Sequence, residues 1–341
     1  MQLGHVAIFV DDIEAASTFL TQTIGWRRHP MAFGVPEAES TTGGMDLAFI
    51  DANGLWLELV APTSPGPGKD ILARQGSGFI GELAFETREF DRVRTAMQSK
   101  GIVLQAMDGT PLANDGAIRQ GLGKGGASHD RSVRIAYWPV ELSRGTSVEV
   151  FEYRTDGKDD VFTIRDRTWT SQPFPPNTPR LDRIAIIVAD AERTARFYTD
   201  VVGLKRHPET FKLDGGANER SGGMQVVFVD AGGVWLALVQ PVGPGPLMDY
   251  LTAKGDGFIA ELIAEVDDLG AYYDAMKAKG IHMVDTSGNP LDDSEKAHVL
   301  EPYGDRIAYF PTSVSHGIVI EISQRGPAAT SLIAKRDTWR R

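Results

Sequence analysis

Apolar and polar residues alternate in short runs along the chain, and this pattern predicts β-strands with one buried face. The first run, HVAIFV from residue 5, is followed by the stretch DDIEAASTFLTQTIG, whose apolar residues recur at helical spacing. Asp11 or Asp12 is suited to cap the start of this helix, and Gly25 is suited to end it. Three further strand-like runs follow, with the sequences GWRRHP, MDLAFID and LWLELVA. The order predicts a β-α-β-β-β module.

The same order of elements occurs four times. The second module begins with the strand-like run GELAFET, and a predicted helix over 89–100 follows it and closes at Gly101. We predict an α+β fold in which four βαβββ modules in tandem form two curved mixed β-sheets, each a half-barrel of eight strands. Helices on one face of each sheet leave the other face free to curve around a cavity. The modules are predicted at 3–62, 78–153, 181–241 and 257–323.

The two halves of the chain are copies of each other. Residues 3–30 align with residues 181–208 at twelve identical positions. The later segments RIAYWP and RDRTW of the first half correspond to RIAYFP and KRDTW of the second half. Prolines are dense at 173–179, as in an extended linker. These features predict an amino-terminal domain over 1–160, a proline-rich linker over 161–179 and a carboxy-terminal domain over 180–341.

Composition narrows the classes of function. The chain has 341 residues, of which 42% are hydrophobic and 24% are charged, and this suits a folded protein of two domains. A formal net charge of −11 without a basic stripe argues against nucleic-acid binding, and the absence of cysteine excludes thiol catalysis. No signal peptide or transmembrane run is recognisable, so a cytoplasmic location is expected. The expected partner is a small molecule rather than nucleic acid or a membrane, and a homodimer is left open.

Side chains able to bind a metal fall on the open faces of the first two modules. Alternation in the first strand places one apolar row under the helix and points His5 and Phe9 towards the opening. The same reasoning applied to three other strands places Trp56 and three glutamates on that face. A lone glutamate on a strand is usually only solvated, but acidic residues at equivalent positions of repeated modules favour a joint site. The candidate ligands are His5, Glu58, Glu82 and Glu149.

The second half has lost part of this set. The equivalent positions there hold an arginine, an alanine and two glutamates, namely Arg183, Ala237, Glu261 and Glu321. Arginine does not deprotonate and alanine has no donor atom, so this copy is expected to be degenerate. If the first module paired with the fourth, the last two glutamates would complete the site in place of those of the second module. The short connection between the first two modules favours direct pairing.

At this point the sequence resembles the vicinal oxygen chelate superfamily, and methylmalonyl-CoA epimerase-like proteins most of all. The segments that carry the resemblance are GHVAIFV, FLTQTIG, LELVAP, GFIGELAF and GTSVEV. The resemblance implies a divalent metal that chelates two neighbouring oxygens of a substrate. The family's first-strand histidine falls on His5, its Glu or Gln ligand on Glu58 and its last-strand glutamate on Glu149. Its second histidine falls on Glu82, which is a departure from the family pattern.

The departure changes the expected chemistry. One histidine and three carboxylates favour Mn, Mg, Co or Fe, with Zn still possible. Oxygen-activating iron enzymes typically use two histidines and one carboxylate, so dioxygenase chemistry is a lesser alternative. The site suits proton transfer next to a metal-chelated carbonyl or enediolate, as in an isomerase, an epimerase or a glyoxalase-type lyase. The first alternative is a non-catalytic protein that sequesters a small molecule, and a metal-dependent dioxygenase is the second.

Two further positions are candidates for the proton transfer and the pocket. Glu149 is the expected base, and Asp46, a charged residue in the apolar run MDLAFID, is a second acid–base candidate or else only an exposed strand residue. Trp56 and Phe9 are expected to line the pocket. His129 lies in the glycine-rich stretch GLGKGGASHD, which is predicted to form a lid over the pocket or a plain surface loop.

Overall fold

The structure is a computed structural model, and its sheets follow the repeat of the sequence. It forms two compact units, one of Met1–Gln22 and Trp26–Pro173 and one of Phe174–Arg341 with Thr23–Gly25. The residues that it describes are 1–35, 37, 43–112, 118–121, 132–152, 165–166, 168–169, 172–213, 222–300 and 302–340.

Unit 1 contains one mixed sheet, to which the described residues contribute nine strands in the order β2-β4-β5-β1-β6-β9-β8-β7, with β3 also beside β4. The first and second modules therefore share one sheet. Helix α1 runs on into a π-helix over Phe19–Ile24. The strands are β1 (Gln2–Phe9), β2 (Arg27–Arg28), β3 (Phe33–Val35), β4 (Met45–Asp51), β5 (Trp56–Pro62), β6 (Phe79–Thr87), β7 (Ile118–Gly121), β8 (Ser132–Tyr137) and β9 (Ser147–Glu152). The helices are α1 (Ile13–Thr18), α2 (Pro67–Gln75) and α3 (Phe90–Ser99).

Unit 2 repeats this sheet, and its described part has eight strands in the order β11-β12-β13-β10-β14-β17-β16-β15. The second strand is continuous here, whereas in unit 1 it is divided into β2 and β3. Helix α4 also continues as a π-helix, over Phe197–Val202. The strands are β10 (Arg180–Ile187), β11 (Lys205–Leu213), β12 (Met224–Asp230), β13 (Trp235–Pro241), β14 (Phe258–Glu265), β15 (His298–Leu300), β16 (Asp305–Tyr309) and β17 (Ile320–Gln324). The helices are α4 (Ala191–Arg196), α5 (Pro246–Lys254), α6 (Leu269–Ala278) and α7 (Leu332–Asp337).

The predicted ends of the first helix agree with its local chemistry. The Asp12 carboxylate accepts a hydrogen bond from the Ala15 backbone N–H at 2.9 Å, so Asp12 rather than Asp11 caps α1. Gly25 has a φ of +95°, a conformation that glycine adopts without strain as the chain leaves the helix. Asp190 caps α4 in the same way, with 2.9 Å to the Arg193 N–H. The duplication therefore preserves the capping chemistry.

Each sheet has a second apolar face, on the side opposite the first helix of each module. In unit 1 this face carries one buried group of apolar residues, called the concave cluster below. It includes Ala7 and Phe9 of β1, Phe49 of β4, Tyr137 of β8 and Phe151 of β9. The rows on this face are those that alternation predicts for the first strand. The predicted fold class, two curved mixed sheets built from four modules, is confirmed. Among the described helices, each is too short or too polar to cross a bilayer.

The first part of the predicted linker packs within unit 1. The Nδ1 atom of His29 accepts the Met31 backbone N–H at 3.1 Å, so Nε2 carries the ring proton. Nε2 lies 3.2 Å from the carbonyl oxygen of Arg165 and 3.1 Å from the Thr168 hydroxyl. The His29 ring also lies 5.7 Å from the ring of Trp169. The RHP motif therefore holds the RDRTW segment against the sheet, and burial lowers the pKa of His29.

Candidate metal centre

Strand pairing brings four predicted ligands together from the middle of unit 1. Ala7 of β1 lies between Glu58 of β5 and Glu82 of β6. Two residues earlier in β1, His5 pairs with Ala84 of β6, and Ala84 in turn pairs with Glu149 of β9. The four side chains therefore lie on neighbouring strands within two adjacent rows of one face.

Three of these side chains, those of His5, Glu58 and Glu82, also bring their ligand atoms together, and Glu149 lies outside this group of three. The Nε2 atom of His5 lies 3.1 Å from Oε2 of Glu58. One ligand atom each from His5, Glu58 and Glu82 can be chosen so that all three lie within 4.8 Å of one another. Such a spacing matches oxygen and nitrogen ligands that surround one ion at about 2.0–2.2 Å. His5 is 1% exposed, and the three glutamates are between 4% and 8% exposed.

Burial of three acids together has a large electrostatic effect. Burial and, to a smaller extent, the neighbouring Glu58 carboxylate together raise the pKa of Glu82 to about 8. Burial likewise raises the pKa of Glu149 well above its usual range, and the charge of Glu82 adds to this effect. Without a cation, the Glu82 carboxyl group keeps its proton at neutral pH, and the shift in the pKa of Glu149 favours its protonated form as well.

Two buried oxygens at this place have no hydrogen-bond partner among the residues that the structure describes. They are Oε2 of Glu82 and Oε1 of Glu149. The second oxygen of Glu149 accepts a hydrogen bond from the Tyr137 hydroxyl at 2.8 Å. A buried carboxylate oxygen without a partner is costly, and a bound cation is one of the few groups that compensate it. The residues present therefore fit a divalent metal.

The walls of the centre are aromatic. The His5 ring lies 5.0 Å from the ring of Phe151 and 6.3 Å from that of Phe49, measured between centroids. Both phenylalanine side chains are fully buried. These contacts restrict the His5 ring and keep water away from the acids, which strengthens electrostatic interactions within the centre.

Two sequence profiles described as the Glyoxalase/Bleomycin resistance protein/Dioxygenase superfamily match the chain. One matches residues 4–118 and the other residues 180–309, so together they take in well over half of the chain and part of each repeat. The chain belongs to this superfamily. The resemblance drawn from its motifs is thereby confirmed.

Two curated relatives in the superfamily are enzymes. The human mitochondrial methylmalonyl-CoA epimerase is 26% identical over 162 residues, which is 46% of this chain and 82% of that protein. The ethylmalonyl-CoA/methylmalonyl-CoA epimerase of Cereibacter sphaeroides is 25% identical over 146 residues, which is 42% of this chain and 97% of that protein. Each match therefore takes up less than half of this chain.

A solved structure of the superfamily fold spans both units. A mutant of 4-hydroxymandelate synthase from Streptomyces coelicolor covers 100% of this chain and 99% of its own, with a TM-score of 0.59 and 18% sequence identity. At this identity the likeness concerns the fold alone. It agrees with two tandem half-barrels in one chain.

In unit 2 a guanidinium group takes the place of the histidine ligand. Arg183 pairs with Trp235 in the register in which His5 pairs with Trp56. Its Nη2 atom lies 3.2 Å from Oε1 of Glu321, the counterpart of Glu149. Ala237 leaves no donor at the position of Glu58. Unit 2 therefore holds a fixed cation of its own, as expected for a degenerate copy.

Ion pairs of the carboxy-terminal helix surround that guanidinium. Arg183 also contacts Asp182 at 2.9 Å, and Arg336 of α7 binds both oxygens of Asp182 at 2.7 and 2.9 Å. Burial alone would raise the pKa of Asp182, but the two guanidinium groups lower it to about 2. In unit 1 the residue that corresponds to Asp182 is Gly4, where a Cβ atom would lie 2.7 Å from Cζ of Phe151.

The other predicted site residues lie at different places relative to the candidate metal centre. Asp46 lies on the opposite face of the sheet, because Met45, Leu47 and Phe49 of the same strand belong to the concave cluster. We therefore give Asp46 no part in the centre. Phe9 is buried in the cluster, and Trp56 packs on its edge. His129 lies outside the described residues.

Sequence reasoning missed two buried side chains at this face. Tyr137 contacts Glu149, and the Arg165 guanidinium carbon lies 4.8 Å from the centre of the Trp56 ring and 5.2 Å from that of Phe49. A signal existed for both, since RIAYWP and RDRTW each recur in the second half. Arg336 is the counterpart of Arg165, at 5.3 Å from the Trp235 ring.

Proposed function

We propose that unit 1 binds one divalent metal through the His5 imidazole and the carboxylates of Glu58, Glu82 and Glu149. With that metal it catalyses proton transfer next to a carbonyl group of a small molecule, as an isomerase, an epimerase or a glyoxalase-type lyase. The observation that carries the proposal is the convergence of a histidine with buried glutamates, two of which keep an oxygen without a hydrogen-bond partner. The epimerase relatives support the same class of reaction.

The donor set indicates which metals fit. One nitrogen and three carboxylates form an oxygen-rich set with a formal charge of −3 when ionised, and such a set favours Mn, Mg, Co or Fe, with Zn also accepted. When bound, the metal would polarise a carbonyl oxygen and so acidify the adjacent C–H bond.

Glu149 is the proposed proton acceptor. Its Oε2 atom is held by the Tyr137 hydroxyl, so the substrate proton would arrive at Oε1. Burial and the charge of Glu82 raise the pKa of Glu149. A carboxylate with a raised pKa is a stronger base than one in water, which suits the removal of a weakly acidic C–H proton.

Glu149→Gln should remove this activity. Protein loaded with Mn(II) is incubated in D₂O with methylmalonyl-CoA and with a panel of 2-hydroxy ketones and 2-oxo acids, and solvent deuterium in each is followed by NMR. A probe that exchanges with the wild type should exchange at least about 100-fold more slowly with the variant, because a positioned general base contributes about 10²–10⁴-fold.

The duplicated chain offers a matched control for this experiment. Glu321→Gln changes the same strand position in unit 2 and should leave exchange at the wild-type rate. Normal exchange by Glu149→Gln would contradict the assigned base. A wild-type protein that binds metal and consumes oxygen with a 2-oxo acid would instead be an oxygenase, and binding of probes without exchange or oxygen uptake would identify a sequestering protein.

A further inference from the structure

A buried tyrosine accompanies the last-strand glutamate in both units. Tyr137 of β8 pairs with Glu149 of β9 across the sheet, and its hydroxyl donates to Oε2 at 2.8 Å. In unit 2 the Tyr309 hydroxyl donates to Oε2 of Glu321 at 2.7 Å, from the same cross-strand position. Burial and the nearby carboxylates raise the pKa of both tyrosines, so each hydroxyl keeps its proton and acts as a donor.

In both units the tyrosine hydroxyl binds the same oxygen, Oε2, of the last-strand glutamate. In unit 2 the tyrosine holds Oε2 of Glu321, while the Arg183 guanidinium binds Oε1 at 3.2 Å. In unit 1 Tyr137 holds Oε2 of Glu149, and Oε1 has no hydrogen-bond partner within the described part of the chain. Unit 2 therefore shows that Oε1 is the oxygen that faces a cation at this place.

We infer that Tyr137 is a positioning residue that reserves Oε2 of Glu149, so that only Oε1 is available to the metal and to the substrate proton. This inference rests on the proposed function. A carboxylate can bind a metal through one oxygen or both, and the hydrogen bond from Tyr137 competes with the two-oxygen mode. A glutamate bound through one oxygen is more easily released to accept a proton than one bound through two.

Tyr137→Phe is the variant that tests this role. It keeps the ring that packs in the concave cluster and removes only the donor. Glu149 is then expected to bind through both oxygens, which adds one ligand to the metal. We expect the variant to retain one Co(II) per chain, to lose intensity in the visible absorption bands of Co(II) because the coordination number rises, and to exchange deuterium about 10–100-fold more slowly.

Tyr309→Phe is the matched control, because it removes the same hydroxyl from unit 2. It should leave both the Co(II) spectrum and the exchange rate unchanged. 4-Aminophenylalanine at position 137 keeps an N–H donor and should restore the wild-type spectrum. If the phenylalanine variant does not fold, 4-fluorophenylalanine at position 137, which cannot donate, makes the same comparison.

The outcomes separate this inference from the proposed function. If the wild-type protein takes up no Co(II), the proposed metal centre is wrong. If it takes up Co(II) and Tyr137→Phe has the wild-type spectrum and exchange rate, the centre stands and the positioning role is wrong. Equal changes in Tyr137→Phe and Tyr309→Phe would also overturn the role, because they would reflect a general loss of packing.

Discussion

Metal binding by unit 1 should strengthen by at least about tenfold for each unit of pH gained between pH 5 and 8, because each proton displaced by the metal contributes tenfold per pH unit. Burial and the Glu58 charge raise the pKa of Glu82 to about 8, and burial and Glu82 raise that of Glu149. The Glu82 carboxyl group is therefore protonated below about pH 8 in the metal-free protein, and the shift in the pKa of Glu149 is in the same direction. A metal bound to Glu82 must release that proton.

The sign of the effect on stability follows from the same shifts. A carboxyl group with a raised pKa in the folded state stabilises the fold fully below its unfolded value of 4.5, and this contribution is lost as the pH rises through the folded value. The metal-free protein loses stability from Glu82 and Glu149 over this range, whereas the metal-bound protein does not. The rise in melting temperature caused by metal should therefore grow from pH 5 to pH 8.

Calorimetry with Mn(II) in buffers of different ionisation enthalpy counts the protons released. We expect at least about one proton per metal for the wild type near pH 7 and about one fewer for Glu82→Gln, in which the amide oxygen can still bind the ion. Metal affinity that does not change with pH would show that these carboxylates are not the ligands.

An Arg183→His, Ala237→Glu double variant should bind two divalent ions per chain, where the wild type should bind one. Among the four candidate ligand positions, Arg183 and Ala237 are the two at which unit 2 departs from unit 1. Glu261 and Glu321 are already present, and burial raises the pKa of Glu261 to about 8 as it does for Glu82. Removing the guanidinium takes a cation away from Glu321, and the new imidazole and carboxylate complete the set.

The remaining ion pairs of unit 2 should tolerate this exchange. Asp182 loses its contact with Arg183 but keeps Arg336 on both oxygens. Metal content after dialysis gives the result directly, with each single variant as a control expected to stay at one ion per chain. A folded double variant with one ion would contradict the view that the guanidinium replaces a metal in unit 2.

The alternation of apolar and polar residues along the strands was enough to predict which face of the sheet carries the candidate ligands. It placed His5, Glu58, Glu82 and Glu149 on one face because side chains on a strand repeat every two residues. It did not assign a face to Asp46, because both rows of MDLAFID are largely apolar and the pattern does not say which row faces the helices. The sequence also did not predict which residues on neighbouring strands pair with one another, because β-bulges between Leu3 and His5 and between Ala7 and Ile8 shift the register of β1 and β6.

Contacts between distant segments could not be predicted in this way. The ion pair of Asp182 with Arg336 joins residues 154 positions apart, and the local pattern of apolar and polar residues does not predict it. The role of Tyr137 depends on a cross-strand neighbour, which only the register between β8 and β9 supplies. The repetition of RIAYWP and RDRTW marked both segments as important without indicating what they contact.

Diffraction from crystals soaked in Mn(II), measured on either side of the manganese absorption edge, locates the ion most directly. One anomalous peak is expected in unit 1, about 2.0–2.2 Å from the His5 imidazole and from oxygens of Glu58, Glu82 and Glu149. No such peak in unit 2 is expected, where Arg183 supplies the positive charge. A peak at another place, or a fully soaked crystal in which these four side chains bind only water and one another, would contradict the proposed centre.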